Sequence, residues 1–174
     1  MPIKINYSSK PRNKSLTNLV LFVDHNFNIS GLKKIIANTE FSKILDLLKI
    51  SDLKKEILFF QINSKKKIFL VSLKKDMKTS EVENLGAKFH DYINYDNKND
   101  YFINIDTILS NIKNFAAYFM HGLKLKSYEF NIYKSQKDKR LVMINVFGDK
   151  NKIPAQNQLR FKALEEGSFF ARDL

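Results

Sequence analysis

The sequence predicts an α/β protein, a mixed β-sheet with helices on both faces. Three observations carry that prediction. Short apolar runs at 19–24, 57–62, 68–73, 101–105 and 141–147 have strand length and at most one polar interruption. Runs of that kind suit strands buried on both sides of a sheet. Between them lie segments whose apolar residues recur at helical spacing. The two periods alternate along the chain, and alternating strands and helices pack as a helix-covered sheet.

In order, Ile3, Ile5 and Tyr7 alternate with polar residues and predict a short first strand. Leu19–Asp24 is the first buried strand, and Asp24, His25 and Asn26 form the turn after it. An acid and a histidine at a strand end could serve catalysis, but no nucleophile accompanies them. From Gly31 to Ile50 the pattern gives two short helices broken near Asn38 and Thr39, with Thr39 able to cap the second. The runs 57–62 and 68–73 flank Asn63–Lys67 and predict a hairpin. Val82, Leu85, Phe89 and Ile93 define one face of a helix from Thr79, which leaves His90 toward solvent.

Ile108, Ile112, Phe115, Phe119 and Leu123 are spaced by four, three, four and four, so one long helix follows the strand at 101–105. Leu109, Ala116 and Met120 widen its apolar face. Gly122 lies inside it, where glycine costs about 1 kcal/mol against alanine, so close approach of a neighbouring backbone is expected. His121 beside it reads as a structural residue. Alternation at Tyr128, Phe130, Ile132 and Tyr133 predicts a strand that pairs as a hairpin with 141–147. Pro154 suits the first turn of a last helix running to Leu174. On that helix Ala163, Gly167 and Ala171 form a small-residue stripe suited to close packing.

The chain has 174 residues, 44% of them hydrophobic, enough for one domain with a sizeable core. It has no cysteine, which excludes disulfides, cysteine metal sites and thiol catalysis and fits a reducing compartment. No apolar run approaches the roughly 20 residues of a membrane span, and the basic stretch 1–15 is not followed by an apolar run of signal-peptide type, so a cytoplasmic location is expected. The formal net charge is +12. Lysine far outnumbers arginine and is spread over every segment, which points to compositional bias rather than a dedicated nucleic-acid surface. Lys65, Lys66 and Lys67, near Phe60 and Phe69, are the one local basic cluster with aromatic neighbours. They read as a solvated hairpin tip, and as the candidate nucleic-acid contact if there is one. DNA binding is expected to be weak and sequence-independent.

Two segments resemble a known family. Gly122, Leu125, Tyr128, Phe130, Tyr133 and Lys134 are similar to the last helix-to-strand passage in the N-terminal domain of leucyl (cytosol) aminopeptidases. The segment 163–174, ALEEGSFFARDL, resembles the helix that links that domain to the catalytic one. The resemblance implies a macro-domain-like fold for 1–152, and for 153–174 a linker helix leading to a catalytic domain that is absent here. It implies a parent that removes N-terminal residues, leucine preferred, from peptides, and a homo-hexamer built with its own catalytic domain. Two divalent metals, manganese or zinc, would be held by motifs of that second domain. Where the family has a glycine-rich strand end, this chain has Val71-Ser72-Leu73-Lys74-Lys75. The resemblance assigns that turn no catalytic residue.

The residues themselves give no catalytic or metal-binding constellation. Gly31, Gly86, Gly122, Gly148 and Gly167 are too far apart to form a phosphate-cradling loop, so nucleotide binding is not expected. His25, His90 and His121 sit on separate elements, and none belongs to an H-E-x-x-H pair. The acids stand mostly among lysines, a pattern of paired surface charges. Glu165 and Glu166 are adjacent on one helix and point about 100° apart, so they do not converge on one ion. Arg172 and Asp173 belong to the linker helix and take no catalytic role. The chain alone is expected to be a non-catalytic domain, with a DNA-binding or regulatory module as the alternative.

Overall fold

A computed structural model describes residues 3–11, 17–95, 99–128, 141–153 and 158–173. Among these residues six strands form one mixed sheet: β1 (Ile3–Ser8), β2 (Asn18–Asp24), β3 (Ile57–Gln61), β4 (Lys67–Leu73), β5 (Asp100–Asn104) and β6 (Val142–Phe147), in the order β1-β6-β5-β2-β4-β3. Every neighbouring pair is parallel except the β3–β4 hairpin. Among the described residues four α-helices accompany it: α1 (Asn38–Lys49), α2 (Thr79–Tyr95), α3 (Phe115–Lys126) and α4 (Gln158–Asp173).

The apolar runs are central because the sheet has two covered faces. Along β2, Val20 and Phe22 point into a core with α2 and α3, whereas Leu19, Leu21 and Val23 point into a second core with Phe41 and Ile44 of α1. Strand β4 divides in the same way, with Phe69 and Val71 on the first side and Ile68 and Leu70 on the second. Alternate side chains of a strand face opposite ways, so an unbroken apolar run needs helices on both sides. The first core is the aromatic one. Phe119 meets Phe22 edge-on at 5.3 Å and Phe89 at 5.9 Å between ring centroids. The β2–β5 ladder pairs only Leu19–Phe102 and Val20–Ile103. Beyond it the Thr107 hydroxyl accepts from the Phe22 amide at 2.8 Å and donates to the Asn104 carbonyl, replacing the missing ladder bonds.

Helices α2 and α3 cross at paired glycines. A Cβ built on Gly122 would lie 1.9 Å from the Glu83 carbonyl oxygen. One built on Gly86 would lie 2.0 Å from the Phe119 carbonyl oxygen. Each helix therefore presents a glycine to the other's backbone, the close approach expected at Gly122, now with a partner glycine on α2.

Several expectations change. The long helix begins at Phe115, after Asn114 in the left-handed region (φ 62°), so Ile108, Leu109 and Ile112 precede it and Leu109 is exposed. Helix α1 starts at Asn38 with Ala37 as cap residue, so Thr39 lies inside it. The Glu40 carboxylate accepts from the Ala37 amide at 3.4 Å. The first of the two predicted helices is only a 3-10 turn at Ser30–Lys34. His90 is buried, 4% exposed, not solvent-facing. The Ala163, Gly167 and Ala171 stripe faces solvent, and nothing lies within 4 Å of a Cβ on Gly167. The strand expected over 128–133 falls, apart from Tyr128, outside the described residues, as does Pro154, and Tyr128 itself is not in a strand.

Candidate functional site

The sequence places Glu165 on a helix among charged neighbours. The structure buries it. Turned against α3, its side chain is 6% exposed. One carboxylate oxygen lies 3.2 Å from His121 Nδ1, and the other 2.5 Å from Lys124 Nζ. His121 and Lys124 are three apart on α3, so both lie on the side that meets α4. A buried carboxylate is costly unless paired and hydrogen-bonded, and here both oxygens are satisfied. Lys124 keeps a third of its side chain exposed and meets Glu165 from the solvent side.

Rings extend the same contact. Phe161, one turn before Glu165, packs on Tyr118 at 5.2 Å and on the His121 ring at 4.7 Å. One turn beyond, Phe169 stacks on Tyr128 at 4.8 Å, and the Arg172 guanidinium lies 5.4 Å from the centre of the same ring. Phe161, Glu165 and Phe169 thus make one inward face at the i, i+4 spacing of a helix, and the exposed Arg172, three residues on, reaches over its end. That spacing was visible in the sequence, but the small-residue stripe competed with it and suggested the opposite face.

Between this face, α3 and β1, the end strand of the sheet among the described residues, lies a cavity of 310 Å³. Ile3, Ile5 and Tyr7 of β1 form one wall, and Met120 of α3 and Phe161 of α4 the other. Lys4, Lys124 and Lys162 also line it. Burial pushes the Tyr7 phenol well above its ordinary range, and the Glu165 charge adds to the shift. The fold therefore favours neutral Tyr7. In the unfolded chain Tyr7 ionises near pH ~10 while the folded chain holds the proton, so stability falls as pH rises above that value. Urea unfolding of the parent and Tyr7→Phe at about pH 9 and about pH 11 checks this. The parent is expected to lose up to about 1 kcal/mol more than the variant between the two.

The other singled-out residues do not join this site. His25 is exposed, and Asp24 beside it accepts from the amides of Asn26 and Asn28, the expected turn role. Lys65, Lys66 and Lys67 do not share a face. Lys66 is held 2.7 Å from Glu40 of α1, Lys67 lies over the Phe59 ring, and Lys65 is exposed. Phe60 and Phe69 are buried in opposite cores and offer no base-stacking surface. Among the described residues no group of three or more His, Cys, Asp or Glu could hold a metal ion. Glu165, the one buried acid among the described residues, already has Lys124 and His121 on its two oxygens, so the described residues do not fit the metals that the family resemblance implies. Among the described residues no helix is long and apolar enough to cross a membrane.

The fold of this chain is similar to that of an α/β unit within solved aminopeptidase structures. The fold matches a tomato leucine aminopeptidase variant with a TM-score of 0.64 at 15% identity, over 95% of this chain and 36% of that one. It matches the cytosol aminopeptidase of Coxiella burnetii at 0.61 and 10%, over 98% and 32%. The bottromycin maturation enzyme BotP, in complex with Mn, matches at 0.60 and 12%, over 92% and 32%. The chain thus spans about a third of the length of these structures. At such identities the likeness shows the fold. No family model matches the sequence, and no curated protein does.

Proposed function

We propose that this chain is the non-catalytic N-terminal domain of a cytoplasmic metallo-aminopeptidase, with 1–152 as the domain and 153–174 as the helix that leads into the catalytic part. The observation that carries the reading is the fold shared, over nearly the whole chain, with a third of several aminopeptidases. The inward face of α4 supports it, since a linker helix clamped to its own domain transmits a fixed geometry to whatever follows. In this reading the catalytic part holds two divalent metals, manganese or zinc, and removes N-terminal residues, leucine preferred. The present domain serves homo-hexamer assembly and substrate access. The alternative, a DNA-binding or regulatory module, draws on the net charge of +12.

The test is hydrolysis of a leucyl chromogenic substrate with added manganese or zinc. The purified chain is expected to show no turnover above the uncatalysed rate. Chelator-sensitive turnover would overturn the assignment. DNA binding that discriminates sequences, or persists at high salt, would favour the alternative.

A further inference from the structure

We propose that the outward face of α4 pairs with the same face of a second copy of this chain, antiparallel, with the two helices crossing at Gly167. The inference does not depend on the aminopeptidase reading. Leu159, Ala163, Leu164, Gly167, Phe170 and Ala171 are all exposed, Leu159 by 77%, Phe170 by 67% and Leu164 by 49%. At about 100° per residue these positions fall within one arc of about 140°. The other side of the helix is the inward face of Phe161, Glu165 and Phe169, already packed on α3 and Tyr128. A helix that is apolar on both sides suits burial from both.

The outward face is complementary to itself. Nothing lies within 4 Å of a Cβ on Gly167, so a second helix can approach closely there. In projection Ala163 and Phe170 lie to one side of Gly167, and Leu164 and Ala171 to the other. A two-fold axis at Gly167 sets each side against the same side of the partner, with heights reversed. Phe170, three residues after the crossing, then meets the partner's Ala163, four residues before it. Leu164 meets the partner's Ala171 in the same way. Each large side chain seats on a small one. Charge permits the approach, since Arg160 is the one charged residue within the arc on a chain of net charge +12. Arg160 lies level with the carbonyl end of the partner helix, where the helix dipole favours a cation. With seven residues a side, against roughly 20–30 in a standard interface, the dimer is weak, with a Kd on the order of 10⁻⁴ M.

Sedimentation equilibrium of the chain from about 10 μM to about 1 mM is expected to pass from monomer to dimer. Phe170→Asp and Gly167→Leu are expected to stay monomeric over the same range. Both positions are exposed and Gly167 is open, so both variants should melt as the parent does in dilute solution. The chain has no cysteine, so introduced cysteines report the register. Under mild oxidation Ala163→Cys mixed with Ala171→Cys should form a linked pair faster than Ala163→Cys alone. A dimer that survives either substitution, or faster linking of Ala163→Cys to itself, would overturn the proposal. So would a chain that stays monomeric throughout, which would leave the face to a different partner.

Discussion

Gly122→Leu is expected to destabilise the protein by about 3 kcal/mol, the upper end of the usual cost of overpacking. The reason is that the obstacle is backbone. A Cβ at this position would sit 1.9 Å from the Glu83 carbonyl oxygen, and a carbonyl on a packed helix cannot swing aside as a long side chain can. The helices would have to separate, and the aromatic contacts of Phe119 with Phe22 and Phe89 would loosen with them. For a domain of this size the melting temperature should fall by roughly 6–12 °C. Gly86→Ala should act in the same direction, since its Cβ would meet the Phe119 carbonyl at 2.0 Å. Gly167→Ala is the internal control. That glycine is helical and open on all sides, so alanine should be neutral or stabilising by up to about 1 kcal/mol. Thermal unfolding of the three variants reads all of this. An unchanged melting temperature for Gly122→Leu would show that the crossing is looser than described.

Glu165→Ala is expected to cost roughly 1–3 kcal/mol, the usual penalty for stripping a buried group of its partner. The cost stays below the 3–5 kcal/mol typical of a fully buried ion pair because Lys124 can turn to water. His121, 7% exposed, loses its Nδ1 partner and has no such escape. Glu165→Gln should be milder, because a side-chain amide oxygen can still accept from the histidine ring. Hydrogen exchange distinguishes a clamp from a general stabiliser. The amides of α4 should lose protection before those of β2 and β4, since only the α3–α4 contact is broken. Uniform loss of protection across the sheet would contradict the clamp.

The sheet was largely legible in the sequence because its strands are apolar on both sides. Runs such as Leu19–Val23 admit few other readings, and the hairpin at 57–73 followed from strand length and turn composition. Gly122 was legible for a related reason, as a residue that weakens a helix unless something approaches it. Gly86, His90 and Glu165 were not. Gly86 sits on a helix whose apolar face explains itself without it. His90 lies beside Phe89 and off the Val82–Ile93 face, and a helix packed on more than one side buries such positions too. Glu165 is the clearest case. Its neighbours Lys162 and Glu166 form an ordinary i, i+4 pair on the exposed surface, and nothing local separates Glu165 from them. Its burial depends on His121 and Lys124, more than 40 residues earlier. The start of α3 was misjudged because Ile108 and Ile112 do pack on the core, but from an irregular segment that only then turns into helix at Asn114.

The central claim, that this chain is the leading domain of a larger aminopeptidase, is tested most directly on the protein in its native source. An antibody against 1–152 should capture a polypeptide about three times this length, in proportion to the third of the aminopeptidase structures that the chain spans. The captured protein should release leucine from a leucyl substrate and lose that activity to a chelator. A native polypeptide of this length, inactive and unaccompanied by a metallo-aminopeptidase, would contradict it.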